Sequence, residues 1–239
     1  MISDVLHIMS EVRPSGVSAH LRERGKATWT AAIGHPMVRQ IAEGSLPHAK
    51  FRRYFEQNIL YLGDYARAIA LVLGRAPDLA AANALNRFLN RILATEIPAN
   101  IDFLRRLGGS AEAAADSSRM LPVTYCYTRH LLCVCALDNC AAGLAAVLPC
   151  QWSYGELARP LMTSLPPDPI YADWIAMFGN AGYSDLVREI TGLLDRVARA
   201  TADTDHLGLI FDTSARYELQ FWDMAYGGAA PGGVPHGQE

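Results

Sequence analysis

The chain has 239 residues, of which 51% are hydrophobic, 19% are charged and 9% are aromatic, and its formal net charge is -3. This composition excludes intrinsic disorder for most of the chain, because disordered segments are poor in apolar residues and high in net charge. A nucleic-acid binder is disfavoured, since 21 basic and 24 acidic residues leave no excess charge to neutralise phosphates. We expect a soluble globular protein with a substantial core.

The sequence gives no sign of an export signal or a membrane span. Residues 1–13 carry two acids where a secretory signal is basic, and they lack a long apolar stretch. The longest apolar runs, 131–137 and 141–150, are about half the ~20 residues that a spanning helix needs. The five cysteines form an odd set, four of them within 126–140, which favours reduced thiols over a disulfide framework. We expect a cytoplasmic protein without membrane partners.

Apolar residues recur every three or four positions along most of the chain, which is typical of helices, and strand signals are scarce. The pattern predicts helices over 48–74, 78–107, 124–137, 139–165, 170–178, 183–201 and 206–226. Pro98 and Pro149 lie inside two of them and are expected to bend them, because proline removes a backbone donor. Short connections indicate antiparallel neighbours in one bundle. We expect one all-α domain over 1–226 and a disordered Gly- and Pro-rich tail over 227–239.

The spacing of cysteines and histidines does not indicate a metal site. Cys133, Cys135 and Cys140 fall in apolar helical sequence, and the paired Cys-x-x-Cys spacing of zinc sites is absent. The seven histidines are scattered, and no two are three or four residues apart. We expect these three cysteines to be buried as small apolar side chains, and we expect no metal or other cofactor.

Two clusters place polar side chains at helical spacing among apolar residues. Cys150 and Tyr154 are four residues apart, so that on a helix the phenol can reach the thiol. Asn58, Tyr61 and Tyr65 form a polar and aromatic stripe in the first predicted helix. Tyrosine also lines many protein cores with its hydroxyl satisfied, so spacing alone leaves a packing role open for both clusters.

Glu218 is a third candidate, near the C-terminal end of the last predicted helix. Its neighbours in the sequence are four large, mostly apolar side chains, Tyr217, Leu219, Phe221 and Trp222. Burial among such side chains raises the pKa of a carboxyl group, and a raised pKa suits a general acid or base. Core packing remains the alternative here too.

Several short motifs follow one another along the chain. They are His35-Pro36, Gly44-Ser45-Leu46-Pro47, Phe51-x-x-Tyr54, Gln57-Asn58, Tyr125-x-Tyr127-x-x-His130, Leu148-Pro149-Cys150-x-Trp152-x-Tyr154-x-Glu156, Tyr171-x-x-Trp174-Ile175 and Tyr217-Glu218-x-Gln220-Phe221-Trp222-x-Met224-Ala225-Tyr226. In this order and spacing they resemble the TenA/thiaminase II family, which has a haem-oxygenase-like all-α fold. The resemblance extends from about residue 28 to residue 226.

The resemblance implies a hydrolase of carbon–nitrogen bonds. Members of the family hydrolyse aminopyrimidines, releasing hydroxymethylpyrimidine for thiamin salvage, and can split thiamin; they are usually homotetramers. By position, Cys150 is implied to be the nucleophile that adds to the pyrimidine ring, and Glu218 is implied to carry the proton for the leaving group. The implied pocket residues are Asn58, Tyr61, Tyr127, Tyr154, Phe178 and Phe51.

Two of these positions depart from the family pattern, which usually has Asp at position 58 and often Tyr at position 178. A carboxylate only accepts hydrogen bonds, so it favours a protonated ring, whereas the amide of Asn58 offers an acceptor and a donor to a neutral aminopyrimidine edge. Phe178 lacks a hydroxyl and makes the pocket more apolar. We expect these changes to alter substrate preference and to leave Cys150 and Glu218 in place.

Three other hypotheses compete with the hydrolase. A heterocycle-binding protein with weak or no turnover is possible because of Asn58. A cofactor-biosynthesis enzyme similar to PqqC shares the fold, but such enzymes favour His- and Arg-rich pockets, whereas the pocket expected here is rich in tyrosine. A transcriptional regulator is disfavoured by the acidic balance and by the lack of a recognisable helix-turn-helix or basic arm.

Overall fold

A computed structural model of the chain describes residues 16–199 and 203–227, and this part contains helices and no strand. The helices are α1 Val17–Arg24, α2 Lys26–Ile33, α3 Pro36–Glu43, α4 His48–Leu73, α5 Leu79–Arg91, α6 Ile97–Arg106, α7 Ala111–Ala114, α8 Pro122–Leu137, α9 Cys140–Leu161, α10 Pro169–Gly179, α11 Ala181–Ala198 and α12 Thr204–Tyr226. The predicted all-α class is confirmed. The tail predicted over 227–239, apart from Gly227, and the N-terminal stretch tested for an export signal lie outside the described residues.

Most helix boundaries lie close to those predicted from the periodicity, and capping residues mark several of them. The side chains of Asp78, Asn139 and Asn180 accept hydrogen bonds from backbone N–H groups in the first turns of α5, α9 and α11. The helix predicted over 139–165 is shorter than expected and ends at Leu161. The three short helices α1 to α3, before residue 44, were not among the predicted elements.

The helix predicted over 78–107 is interrupted near Pro98 by a π-helical segment, Ile92–Glu96, which joins α5 to α6. Pro98 lies in the first turn of α6. Since proline has no N–H and its ring crowds the carbonyl four residues earlier, the preceding turn widens to accommodate it. The widened turn contains two buried side chains, Ile92 and Glu96.

The most deeply buried helix is α9, which packs against α2, α4, α8, α10, α11 and α12. Its first fifteen residues, from Cys140 to Tyr154, are all buried. A helix that is apolar on every side is buried on every side, and this burial places Cys150 in the centre of the molecule. At Gly143, a Cβ atom would lie 2.5 Å from Cγ2 of Val72, so α9 and α4 approach closely there.

The five cysteines are free, as expected, but they are not all buried. Cys135 and Cys140 are buried, whereas the prediction for Cys133 is wrong, because it is exposed together with Cys126. The buried face of α8 holds Thr124, Tyr127, Thr128, Leu131 and Cys135. Cys126 and Cys133 are seven residues apart and lie on its outer face. Within the described ranges, no helix is long and apolar enough to cross a membrane.

Candidate active site

One face of α4 presents a row of buried polar and aromatic side chains to the centre of the molecule. Tyr54, Asn58, Tyr61 and Tyr65 follow one another at spacings of four, three and four residues, so they share that face. Each of the four is at most 5% exposed. The predicted stripe of residues 58, 61 and 65 is therefore a continuous buried surface, and Tyr54 extends it.

Glu218 on α12 and Cys150 on α9 lie next to this row of side chains. They are 4% and 6% exposed. The hydroxyl of Tyr127 on α8 donates a hydrogen bond of 2.6 Å to Oε1 of Glu218. Burial raises the pKa of Glu218 from 4.5 to about 7, although hydrogen bonds from Tyr127 and Cys150 oppose this rise. A carboxyl group with this pKa can both accept and donate a proton near neutral pH.

The thiol of Cys150 is protonated in this environment. Burial is the main reason that its pKa lies well above the ordinary value, and the negative charges of Glu218 and Glu96 raise it further. The hydroxyl of Tyr61 opposes this effect, and it has no well-formed hydrogen bond of its own among the described residues. The thiol therefore needs a base before it can attack, and Glu218 is beside it.

Aromatic rings enclose the other side of the site. The hydroxyl of Tyr54 donates a hydrogen bond of 3.0 Å to the hydroxyl of Tyr154. The ring of Tyr154 stacks on Trp222 at 5.3 Å between centroids and meets the ring of Phe178 edge-on at 4.9 Å. Phe51 stacks on Tyr54 at 5.8 Å and so joins the site through that residue. The predicted pocket residues thus lie in one connected group.

A buried polar network behind Asn58 was not found from the sequence. Nδ2 of Asn58 donates to Oδ1 of Asn100 at 2.8 Å, and Nδ2 of Asn100 donates to the backbone carbonyl of Glu96 at 2.8 Å. The Glu96 side chain accepts from Nε2 of Gln151 at 3.4 Å, and the hydroxyl of Tyr183 donates to Oε1 of Gln151 at 2.7 Å. This Asn58–Tyr183 network connects α4 to α11.

Glu96 is a second buried carboxyl group, 3% exposed. Burial raises its pKa to about 7, and Arg91 and Gln151 oppose the shift. The one sequence signal that could have revealed it is an acid two residues before Pro98 in a helical pattern, where a widened turn was to be expected. Within the described residues, no three His, Cys, Asp or Glu side chains form a group that could hold a metal ion.

Gln57, the neighbour of Asn58, anchors the chain rather than facing the row of tyrosines. Its Nε2 donates to the carbonyl of Arg119 at 3.0 Å, and its Oε1 accepts from the backbone N–H of Leu121 at 2.9 Å and from Thr124 at 2.8 Å. These bonds hold the start of α8 against α4. Gln57 therefore positions α8, whereas Asn58 faces the site.

A helical bundle enclosing a cysteine, a glutamate and a row of tyrosines defines the class of the protein. The chain belongs to the TENA/THI-4/PQQC family, whose model matches residues 22–228. The predicted family is therefore confirmed.

Individual relatives agree with this assignment. The chain is 33% identical over 213 residues to an aminopyrimidine aminohydrolase of Halalkalibacterium halodurans, and the match covers 87% of this chain and 95% of that protein. It is 29% identical over 211 residues to an aminopyrimidine aminohydrolase of Bacillus subtilis, covering 87% and 89% of the two chains.

Solved structures give the same fold. A TenA homologue from P. horikoshii superposes with a TM-score of 0.81 at 28% identity, over 89% of this chain and 99% of that chain. A domain of unknown function from Shewanella denitrificans, which has a heme oxygenase-like fold, superposes with a TM-score of 0.69 at 16% identity, over 87% and 90% of the chains. The second match bears on the fold alone and confirms the predicted haem-oxygenase-like architecture.

Proposed function

We propose that this chain is an aminopyrimidine aminohydrolase that serves thiamin pyrimidine salvage or thiamin degradation, with Cys150 as nucleophile and Glu218 as the proton carrier. The observation that carries the proposal is the buried pairing of Cys150 with Glu218, whose pKa is raised to about 7. Relatives that carry the name aminopyrimidine aminohydrolase support the substrate class.

The first step is attack of the Cys150 sulfur on the pyrimidine ring. The S–H bond breaks as the C–S bond forms, the proton passes to the carboxylate of Glu218, and a ring C=N π bond opens so that its electron pair moves onto the ring nitrogen. Because burial keeps the thiol protonated, a base at hand is a condition for attack at neutral pH. Tyr127 holds Glu218 in place through its 2.6 Å hydrogen bond.

The second step is departure of the amine. The electron pair on the ring nitrogen moves back through the ring to form an exocyclic C=C bond as the C–N bond breaks. Glu218 gives its proton to the amine nitrogen, so ammonia leaves in place of an unstable anion. Water then adds its hydroxyl group to the exocyclic carbon and gives its other proton to Glu218. The C–S bond breaks as the ring C=N bond re-forms, and Glu218 passes this proton to the sulfur to restore the thiol. The sum is one amine and one water converted into one alcohol and one ammonia.

The walls of the site select a flat heterocycle. Tyr61, Tyr127, Tyr154, Phe178 and, through Tyr54, Phe51 present aromatic surface. The Tyr61 hydroxyl, which has no well-formed hydrogen bond among the described residues, is a hydrogen-bond partner for the ligand. By its family, we infer that the protein is a cytoplasmic homotetramer with its catalytic fold in one all-α domain. No cofactor, nucleic acid or membrane enters this scheme.

Ammonia release from 4-amino-5-aminomethyl-2-methylpyrimidine tests the proposal. We expect turnover by the wild type, and a loss of at least a hundredfold in Cys150→Ala and in Glu218→Gln. Cys133→Ala is the matched control, because this thiol is exposed on α8. Equal turnover by Cys150→Ala and the control would contradict the nucleophile. No turnover by the wild type would contradict the hydrolase.

A second candidate function is a binder of the same heterocycles with weak turnover. The hydrogen bond between Asn58 and Asn100 favours it, because a neutral amide at position 58 cannot stabilise a protonated, electrophilic ring. Tight binding of the aminopyrimidine without ammonia release would identify this function.

A further inference from the structure

The amide of Asn58 is held in one orientation by the residues behind it. Asn100 donates through Nδ2 to the backbone carbonyl of Glu96 at 2.8 Å, and a carbonyl can only accept. The Asn100 amide is therefore fixed with its oxygen toward Asn58, where it accepts from Nδ2 at 2.8 Å. Turning the Asn58 amide by 180° would set two oxygens against each other. The backbone carbonyl of Glu96 thus fixes the orientation of the Asn100 amide, and Asn100 in turn fixes the orientation of the Asn58 amide.

This arrangement leaves a defined set of groups on Asn58 for a ligand. One N–H is used by Asn100, and the second N–H and Oδ1 form no hydrogen bond with the described residues. Since Oδ1 has no partner among the described residues and is not fully buried, it is open to a ligand; Asn58 lies between Tyr54 and Tyr61 on the site-facing side of α4. Asn58 therefore offers one donor and one acceptor.

We infer that Asn100 is a positioning residue that fixes Asn58 to recognise an aminated heterocycle in its neutral form. The free N–H donates to the lone pair of a ring nitrogen, and Oδ1 accepts from the exocyclic amine beside it. Protonation of that ring nitrogen removes the lone pair, and the new N–H of the ring would then face the free N–H of Asn58. This inference rests on the proposed function, because it assigns the protonation state of the ligand at the same site.

The polarity also restricts which rings fit. An oxo ring in its lactam form carries its donor on the ring nitrogen and its acceptor outside the ring, which is the reverse of an amino ring. With the Asn58 amide fixed, a given pose of the ring can hydrogen-bond with Asn58 through the amino pattern or through the oxo pattern, but not through both. A site that hydrogen-bonds a donor and an acceptor rejects the mismatched analogue strongly, because its buried groups are left unpaired.

Other titratable groups surround this position and must be separated from the ligand. Those that interact with one another through Cys150, Glu96 or Glu218 are Tyr54, Tyr61 and Tyr65 on α4, Arg91 on α5, Glu96 in the π segment, Tyr127 on α8, Cys150 and Tyr154 on α9, Tyr183 on α11 and Glu218 on α12. The two carboxyl groups change charge near neutral pH. A measurement must therefore cancel their contribution.

The test is the dissociation constant of two ligands for the full-length wild type, measured by calorimetry between pH 5 and pH 9. The ligands are 4-amino-5-hydroxymethyl-2-methylpyrimidine and its 2-trifluoromethyl analogue, whose ring is too weakly basic to protonate in this range. Titration of protein side chains changes the affinity of both ligands equally, so the ratio of the two affinities reports protonation of the ligand. We expect the affinity of the methyl ligand, relative to the analogue, to fall about tenfold per pH unit below its ring pKa. A constant or rising ratio on acidification would overturn the inference.

Two variants test the residues themselves. In Asn58→Asp the affinity of the methyl ligand relative to the analogue should rise on acidification, because a carboxylate prefers the protonated ring. In Asn100→Ala the preference for the amino ligand over its 4-oxo counterpart should shrink at least tenfold, because the Asn58 amide is free to turn. Asn86→Ala, on the exposed face of α5, is the control. A preference unchanged in Asn100→Ala contradicts the positioning role.

The outcomes separate the inference from the proposed function. Ammonia release with a ratio that rises on acidification overturns the neutral-ring inference and leaves the hydrolase standing. Binding of neither ligand at any pH, together with no ammonia release, overturns both. Neutral-ring binding without turnover supports the inference and assigns the protein to the binder.

Discussion

The hydroxyl of Tyr127 donates a hydrogen bond of 2.6 Å to Oε1 of Glu218, and both side chains are buried. This bond stabilises the carboxylate and lowers its pKa, against the effect of burial, which raises it. The pKa of about 7 is the balance between burial and the charge of Glu96, which raise it, and the hydrogen bonds from Tyr127 and Cys150, which lower it. Tyr127 therefore controls the pH at which Glu218 can accept the proton of Cys150.

Tyr127→Phe is expected to move the acidic limb of kcat/KM to higher pH. Without the hydroxyl the pKa of Glu218 rises, so the carboxylate is lost at a higher pH on acidification. A hydrogen bond to a charged group contributes about 1.5–3 kcal/mol, so a shift of about one pH unit or more is expected. The measurement is a pH–rate profile of ammonia release.

Tyr125→Phe is the matched control for this change. Tyr125 lies two residues earlier on α8 and is 53% exposed, so loss of its hydroxyl should leave the profile in place. The same profile in Tyr127→Phe and in the wild type would contradict the assignment of the acidic limb to Glu218.

The thiols should react with iodoacetamide in an order set by exposure. Cys126 and Cys133 are exposed and should be modified first. Cys150 is buried and its pKa is raised, so its modification should be slow and a bound aminopyrimidine should suppress it. Peptide mass spectrometry of a Cys126→Ser/Cys133→Ser variant, with and without hydroxymethylpyrimidine, measures this. Ligand-independent labelling of Cys150 would contradict its place in the ligand site.

Sequence patterns predicted the parts of the fold and site that depend on local order. Long amphipathic runs predicted α4, and ordered motifs selected Cys150 and Glu218. The short helices α1 and α2 carry little periodic signal, since each has only two buried residues. The exposure of Cys133 depends on which face of α8 packs against α4, and a helix that is apolar on both faces does not reveal this.

The Asn58–Tyr183 network escaped prediction for a different reason. Its hydrogen bonds join residues between 4 and 55 positions apart, and one of them is accepted by the backbone carbonyl of Glu96. The long-range bonds among them follow from tertiary packing around the π segment and have no signature in residue spacing. The sequence did predict that Asn58 departs from the family pattern, and the structure adds the partner that orients it.

The contribution of Glu96 to the stability of the fold should fall as the pH rises from about 4.5 to about 7. Its pKa is raised in the folded state, so the folded chain binds more protons than the unfolded chain in this window. The contribution is fully present below 4.5 and is lost as the pH passes through 7. Each such group accounts for at most about 1.4 kcal/mol per pH unit.

Glu96→Gln should therefore flatten the dependence of the unfolding free energy on pH. The glutamine can still accept from Gln151 and has no charge to bury, so its advantage over the wild type grows toward pH 7. Urea unfolding between pH 4.5 and pH 8 measures this. Glu43→Gln, on an exposed position of α3, controls for the loss of one carboxyl group. An unchanged slope in Glu96→Gln contradicts the burial of a protonated acid.

Two glycines in helices should respond in opposite directions to alanine. Gly143 lies where α9 meets α4, and a Cβ atom there would be 2.5 Å from Cγ2 of Val72, a stiff β-branched side chain. Gly143→Ala should therefore destabilise the fold by about 1–3 kcal/mol. Gly192 is exposed on α11 with nothing within 4 Å, so Gly192→Ala should stabilise it by about 0.5–1 kcal/mol through helix propensity. Urea unfolding of both variants at one pH checks the signs, and stabilisation by Gly143→Ala would show that α9 and α4 are not in close contact at this position.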